Sequence, residues 1–143
     1  MIDLQAIHTA INAAHRYRRE APGRDDWQTP AEFDASGEGD CEDFAIAYWH
    51  ALRDVPGDAR LAICLRGVES HMVCLYYPPG ADPDEADPVV FDVAVDAVCP
   101  LSLRPDLVVI CTVDAHNIYA GRDARRISPT IGLGRLLNRI EDG

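Results

Sequence analysis

In the stretch GEGDCEDFAIAYWHAL, residues 37–52, a cysteine stands where a glycine-rich, acidic approach gives way to an apolar, helix-like run. A structural cysteine keeps apolar company, whereas Cys41 has Asp40, Glu42 and Asp43 around it. A thiol at the first position of a helix is favoured as thiolate by the helix N-terminus, and a neighbouring imidazole favours it further through an ion pair. Histidines stand at positions 8, 15, 50, 71 and 116. Of these, His71 opens the run SHMVCLYY at 70–77, and the next apolar run, PVVFDVAV at 88–95, holds a single carboxylate, Asp92. A carboxylate inside an apolar strand needs a partner to replace its lost hydration, and an imidazole N–H is a suitable one. If the two runs are adjacent antiparallel strands, Asp92 lies beside His71. Cys41, His71 and Asp92 then follow one another as nucleophile, base and orienting residue. Taken singly, each residue also has a bland reading. Histidines at strand edges are commonly structural or exposed, and a cysteine at a helix start proves little.

The elements that must position these residues are legible in the periodicity. Residues 2–20 place Leu4, Ile7, Ala10, Ile11, Ala14 and Tyr17 on one helical face, and the cluster Arg16, Arg18, Arg19 suits a helix C-terminus. Residues 21–40 read mainly as loop, interrupted by Thr29-Pro30-x-Glu32, which has the form of a helix start with Thr as N-cap and Pro at the first position. Asp40 is placed to cap a helix from Cys41 to Leu52 whose inward face includes Phe44, Ala45, Tyr48 and Leu52. Beyond it, strands are expected at 60–67, 70–77, 88–95 and 106–113, rich in Val, Ile, Leu and Tyr and bounded by Gly, Pro or Asp. Helices followed by strands predict an α+β domain with a mainly antiparallel sheet. The proline-rich acidic segment 78–88 is expected to turn through solvent, and residues 131–140 have the spacing of a last helix.

Composition narrows the function. With 143 residues the chain is expected to form one domain, spanning residues 1–143, with a real core. Its net charge of −11 comes from 24 acidic and 13 basic residues, all of the latter Arg, which argues against binding nucleic acid through phosphates. Five cysteines, at 41, 64, 74, 99 and 111, are an odd number without CxxC spacing, so neither a zinc ribbon nor a disulfide framework is expected. Cys64, Cys74 and Cys111 sit in apolar runs as small buried hydrophobes. No signal peptide and no membrane-spanning run is expected from the sequence, which points to the cytoplasm and to no membrane partner.

The elements WQTP (Trp27 to Pro30), GDCED (Gly39 to Asp43), HMV (His71 to Val73) and the strand carboxylate Asp92 together resemble the bacterial transglutaminase-like cysteine peptidases, over residues 25–95. The resemblance implies a papain-like/transglutaminase-like core and a catalytic triad of Cys41, His71 and Asp92. It implies a thiol hydrolase that cleaves a peptide or isopeptide bond in a protein or peptide substrate, through a thioacyl intermediate. Trp27 would supply an oxyanion donor or one wall of the cleft, unless it is an ordinary core aromatic. Members of this family bind calcium beside the nucleophile, here through Asp40 and Glu42. No cofactor is otherwise required. A bound cation would cancel charges that oppose thiolate formation, while the plainer alternative makes Asp40 an N-cap and Glu42 a first-turn charge. Two departures stand out: AIAYWHAL replaces a usual Lys-Tyr pair, and Val93 follows Asp92 where Asn is commoner. Two other functions share the same residues, an inactive peptide- or calcium-binding module and an acyl transferase of the transglutaminase kind.

Overall fold

The computed structural model describes residues 2–19, 28–83, 85–114 and 118–120. Helix α1, Leu4–Ala14, is capped by Asp3, whose side chain accepts from the Ala6 N–H. The helix stops earlier than its periodicity suggests. His15 is extended, and Arg16–Tyr17 become a short strand, β1, parallel to β2 at Glu38–Gly39. The Arg16 and Arg18 N–H groups donate to the carbonyls of Gly37 (2.8 Å) and Gly39 (2.7 Å). The basic cluster therefore does not cap a helix; Arg18 pairs with Glu38, and Tyr17 is 52% exposed. Ala10 and Ala14 face outward and His8 is fully buried, so the inward stripe of α1 runs through Leu4, Ile7, His8 and Ile11.

Helix α2, Pro30–Ser36, begins with the expected capping box between Thr29 and Glu32 and ends at Gly37, whose φ of 71° closes the helix in the left-handed region. Helix α3, Cys41–Leu52, has Asp40 as N-cap. Phe44, Ala45, Tyr48 and Leu52 are buried as expected, and so are Ile46 and Trp49, because α3 lies between α1 and α2 on one side and the sheet on the other.

The sheet contains β3 (Asp58–Arg66), β4 (Glu69–Tyr77), β5 (Val89–Phe91), β6 (Cys99–Pro100), β7 (Leu107–Val113) and β8 (Ile118–Ala120), in the order β6-β5-β4-β3-β7-β8. All neighbours are antiparallel. The fourth expected strand thus pairs with the first, and the third is only three residues long, because Asp92 leaves the ladder. One face of the sheet packs on α3 through Leu61, Met72, Cys74 and Phe91. The other buries Ala62, Cys64, Val73, Leu75 and Val90, with Ala81 and Ala86 packed against them. The 78–88 segment is therefore not a purely solvent loop; its alanines cover a core. Cys64, Cys74 and Cys111 are buried free thiols, as their apolar surroundings predict. The expected C-terminal helix at 131–140, together with Trp27 and His116, lies outside the described residues.

Candidate active site

Cys41 is the first residue of α3, and local sequence explains why the helix starts there. The Asp40 carboxylate accepts from the Asp43 N–H (3.2 Å), and the Asp43 carboxylate accepts in return from the Asp40 N–H (3.1 Å). This reciprocal box satisfies first-turn amides that have no helical partner. Gly39 is required beside it, since a Cβ there would come within 2.5 Å of Asp43 Oδ2. Asp43 is buried and also accepts from the Gln28 main-chain N–H (2.8 Å) and side-chain amide (3.2 Å).

His71, on β4, and Asp92, the residue after β5, meet where these two neighbouring strands run side by side. His71 Nε2 lies 2.7 Å from Asp92 Oδ1. A carboxylate only accepts, so Nε2 carries the proton and Nδ1 is left to receive one. The main-chain N–H of Met72, the residue after His71, is directed at the Cys41 thiol. His71 and Asp92 are thereby in contact, and Cys41 adjoins the strand that bears His71.

The electrostatics of the two halves differ. Burial would raise the Asp92 carboxyl, but hydrogen bonds from His71 and the Ala94 N–H (3.0 Å), the His71 charge and Arg104 outweigh it and hold the group at about 2. The Cys41 thiol goes the other way. Burial chiefly, then the Glu42 and Asp40 carboxylates, push it up to about 12 against the opposing pull of the Met72 N–H. Asp40 and Glu42 supply hard oxygen donors of the class calcium takes. Among the described residues they belong to no cluster of three or more His, Cys, Asp or Glu side chains able to hold a metal, so main-chain oxygens and water would have to complete the coordination.

Three residues at this site have no counterpart in the sequence reading. Arg104 Nη2 donates to Asp92 Oδ2 at 2.9 Å. His8 Nε2 donates to the Asp92 carbonyl at 2.9 Å while its ring stacks on Tyr48, centroids 5.2 Å apart. Tyr17, beside Gly39 in register, has its hydroxyl pushed up by burial and then by negative charge at Cys41 and Asp40. His8 carried a usable signal, a polar residue between Ile7 and Ile11 on an apolar stripe. Arg104 and Tyr17 carried none.

A helix that starts at Cys41 and packs on an antiparallel sheet carrying His71, with Asp92 just beyond the neighbouring strand, is the papain-like, transglutaminase-like α+β arrangement. No protein-family model matches the chain, and no curated protein matches it in sequence. Among solved structures it is similar to LapG of Legionella pneumophila, with a TM-score of 0.79 and 27% identity over 96% of this chain and 76% of that one. The likeness extends to EGTA-treated LapG (TM-score 0.81, 26% identity, 96% and 77% covered). It extends equally to calcium-bound LapG (0.79, 28%, 96% and 78%).

Proposed function

We propose that the protein is a transglutaminase-like cysteine peptidase that hydrolyses a peptide or isopeptide bond with Cys41 as nucleophile, His71 as base and Asp92 as orienting residue. The observation that carries this reading is the 2.7 Å bond between His71 Nε2 and the fully buried Asp92 carboxylate, on the strand whose Met72 N–H reaches the Cys41 thiol. The likeness to LapG supports it at the level of a peptidase acting on protein.

In this mechanism His71 Nδ1 takes the Cys41 proton, and the imidazolium is stabilised by Asp92. The thiolate attacks the substrate carbonyl carbon, and the carbonyl electron pair moves onto oxygen. The Cys41 main-chain N–H, a first-turn donor, would stabilise that oxyanion; Trp27, outside the described residues, is the sequence candidate for a second donor or a cleft wall. Collapse expels the amine, which takes the proton from His71, and leaves a thioacyl enzyme. Water, deprotonated by His71, then releases the acid and the thiol. An amine acceptor in place of water would give acyl transfer from the same intermediate. Asp40 and Glu42 would hold a calcium ion, whose charge would offset theirs and favour the thiolate.

One observation favours the inactive binding module, namely the thiol pushed up to about 12 by burial and its flanking carboxylates. Alkylation by iodoacetamide separates the two readings. The hydrolase has Cys41 labelled faster than the other four cysteines near pH 7 (a rate lost in His71→Ala), since His71 would take its proton and Cys41 is only part-buried where Cys64, Cys74 and Cys111 are buried. Labelling of Cys41 that ignores His71 would leave the binding module standing.

A further inference from the structure

We propose that Arg104 is a positioning residue of this site: it fixes the second carboxylate oxygen of Asp92 so that the first stays aligned on His71, and Asp106 in turn fixes Arg104. This inference rests on the hydrolase reading above.

The Asp92 carboxylate divides its contacts cleanly. Oδ1 accepts from His71 Nε2 (2.7 Å) and the Ala94 N–H (3.0 Å), and Oδ2 accepts from Arg104 Nη2 (2.9 Å). Rotation of a carboxylate about its last torsion is soft. With Oδ2 unheld, the lone pair on Oδ1 would swing off the imidazole, because nothing on that side stops it except one main-chain amide. Arg104 supplies the stop. Its own fork is oriented by two further bonds, Nε to Asp106 Oδ1 and Nη2 to Asp106 Oδ2, both 3.0 Å. Asp106 lies two residues on, in the turn immediately before β7 (Leu107–Val113), so the clamp is held within a short local loop. The hydrogen bond to Asp106, chiefly, keeps the guanidinium charged in spite of its burial.

Charge explains why the anchor is acidic. Arg104 alone would cancel the charge of Asp92 and leave the imidazolium without a counter-ion. Asp106 supplies negative charge beside Arg104, and Arg66, at 3.6 Å, is a second and more exposed partner of its carboxylate. A role in stability alone explains Arg104 poorly. It is 7% exposed, and Nη1 is buried with no partner among the described residues. Buried ion pairs of this kind are commonly matched or exceeded in stability by apolar residues of similar volume.

The test compares Arg104→Gln, Arg104→Lys and His71→Ala in the full chain. It reads the iodoacetamide rate at Cys41 and the downfield imidazole N–H resonance of the His71–Asp92 hydrogen bond. In folded Arg104→Gln the rate is expected to fall about 10- to 100-fold, the range for loss of an outer partner of a functional group. The resonance should shift or exchange away. Arg104→Lys should recover most of the rate, since an ammonium still reaches Oδ2. A folded Arg104→Gln with wild-type rate and resonance would overturn the inference. If that variant does not fold, Asp106→Asn takes its place on the half-exposed side of the clamp. A displaced resonance there supports the proposal, and an undisturbed one overturns it. A null effect of His71→Ala on labelling would refute the hydrolase reading, and the resonance alone would then decide the role of Arg104. A large effect of His71→Ala with none from Arg104→Gln refutes only the clamp.

Discussion

Two buried aspartates, Asp43 and Asp92, belong to the candidate site, and their surroundings differ in kind. Among the described residues, Asp43 at the start of α3 meets neutral donors, the N–H of Asp40 and the main chain and side chain of Gln28. Burial raises its carboxyl, the nearby Asp40 charge raises it further, and the amide bonds only partly compensate. Asp92, beyond the base, meets an imidazole and a guanidinium, and these overcome the same burial to hold it at about 2. The base side of the site is thus balanced within the chain. The side around Cys41 is built from carboxylates, and Glu42 and Asp40 add to burial in pushing the thiol up. This asymmetry teaches where the chain is already organised for proton transfer and where an outside charge has work left to do.

The largest effect should come from breaking the balanced half. Asp92→Asn puts an amide where the anion stood and lets His71 adopt the wrong tautomer, which should slow Cys41 alkylation and any hydrolysis about 10³- to 10⁴-fold. Stability should change with it in a sign-specific way. The Asp92 carboxyl is depressed in the folded state, so its contribution is complete above the unfolded value near pH 3.9 and disappears as the pH falls toward about 2. The contribution is on the order of 2 kcal/mol. Denaturant unfolding at several pH values across that window should show a steeper acid loss in the wild type than in Asp92→Asn. Parallel profiles would mean that Asp92 is not the stabilised anion its contacts imply.

The same contrast separates what was legible in the sequence from what was not. Cys41, its cap Asp40 and the buried face of α3 follow from local rules of capping and periodicity, which act over three or four residues. His71 and Asp92 were readable because a lone polar residue in an apolar strand announces a partner, and two successive strands offer one. Arg104 was not, because its contact with Asp92 spans twelve residues and passes around β6 and a 3₁₀ turn at Leu101–Leu103. The early end of α1 escaped for a related reason. Residues 16–18 have acceptable helical periodicity, but pairing with Gly37 and Gly39 satisfies their amides outside the helix. Long-range hydrogen bonding overrode local propensity at both places.

The unbalanced half should respond to charge, and more modestly. Calcium added to chelator-treated protein should raise the Cys41 alkylation rate near neutral pH by about tenfold, corresponding to roughly one unit of thiol shift. Glu42→Gln gives the sharper version, because it changes the rate in two directions. Without calcium the variant should react faster than wild type, since the strongest carboxylate influence on the thiol is gone. With calcium its gain should shrink, because one donor is missing. Equal rates for both proteins under both conditions would remove the carboxylates from any account of the nucleophile.

The smallest effect tests whether the balanced half extends into α1. His8 donates to the Asp92 carbonyl, and Gln5, one turn earlier, holds the following segment through the Asp96 carbonyl (2.9 Å) and the Val98 N–H (2.9 Å). The helix therefore fixes the main chain at Asp92 while Arg104 and His71 fix its side chain. His8→Leu keeps an apolar body against Tyr48 and Phe91 but leaves the Asp92 carbonyl only its longer bond from the Val95 N–H (3.4 Å), at a cost of about 1 kcal/mol. Alkylation at Cys41 should slow only a few-fold, because the carboxylate keeps its three donors. His8→Gln, which retains an N–H, should lose less of both. A loss of rate in His8→Leu as large as that of Asp92→Asn would show that the backbone, not the carboxylate clamp, sets the orientation of His71.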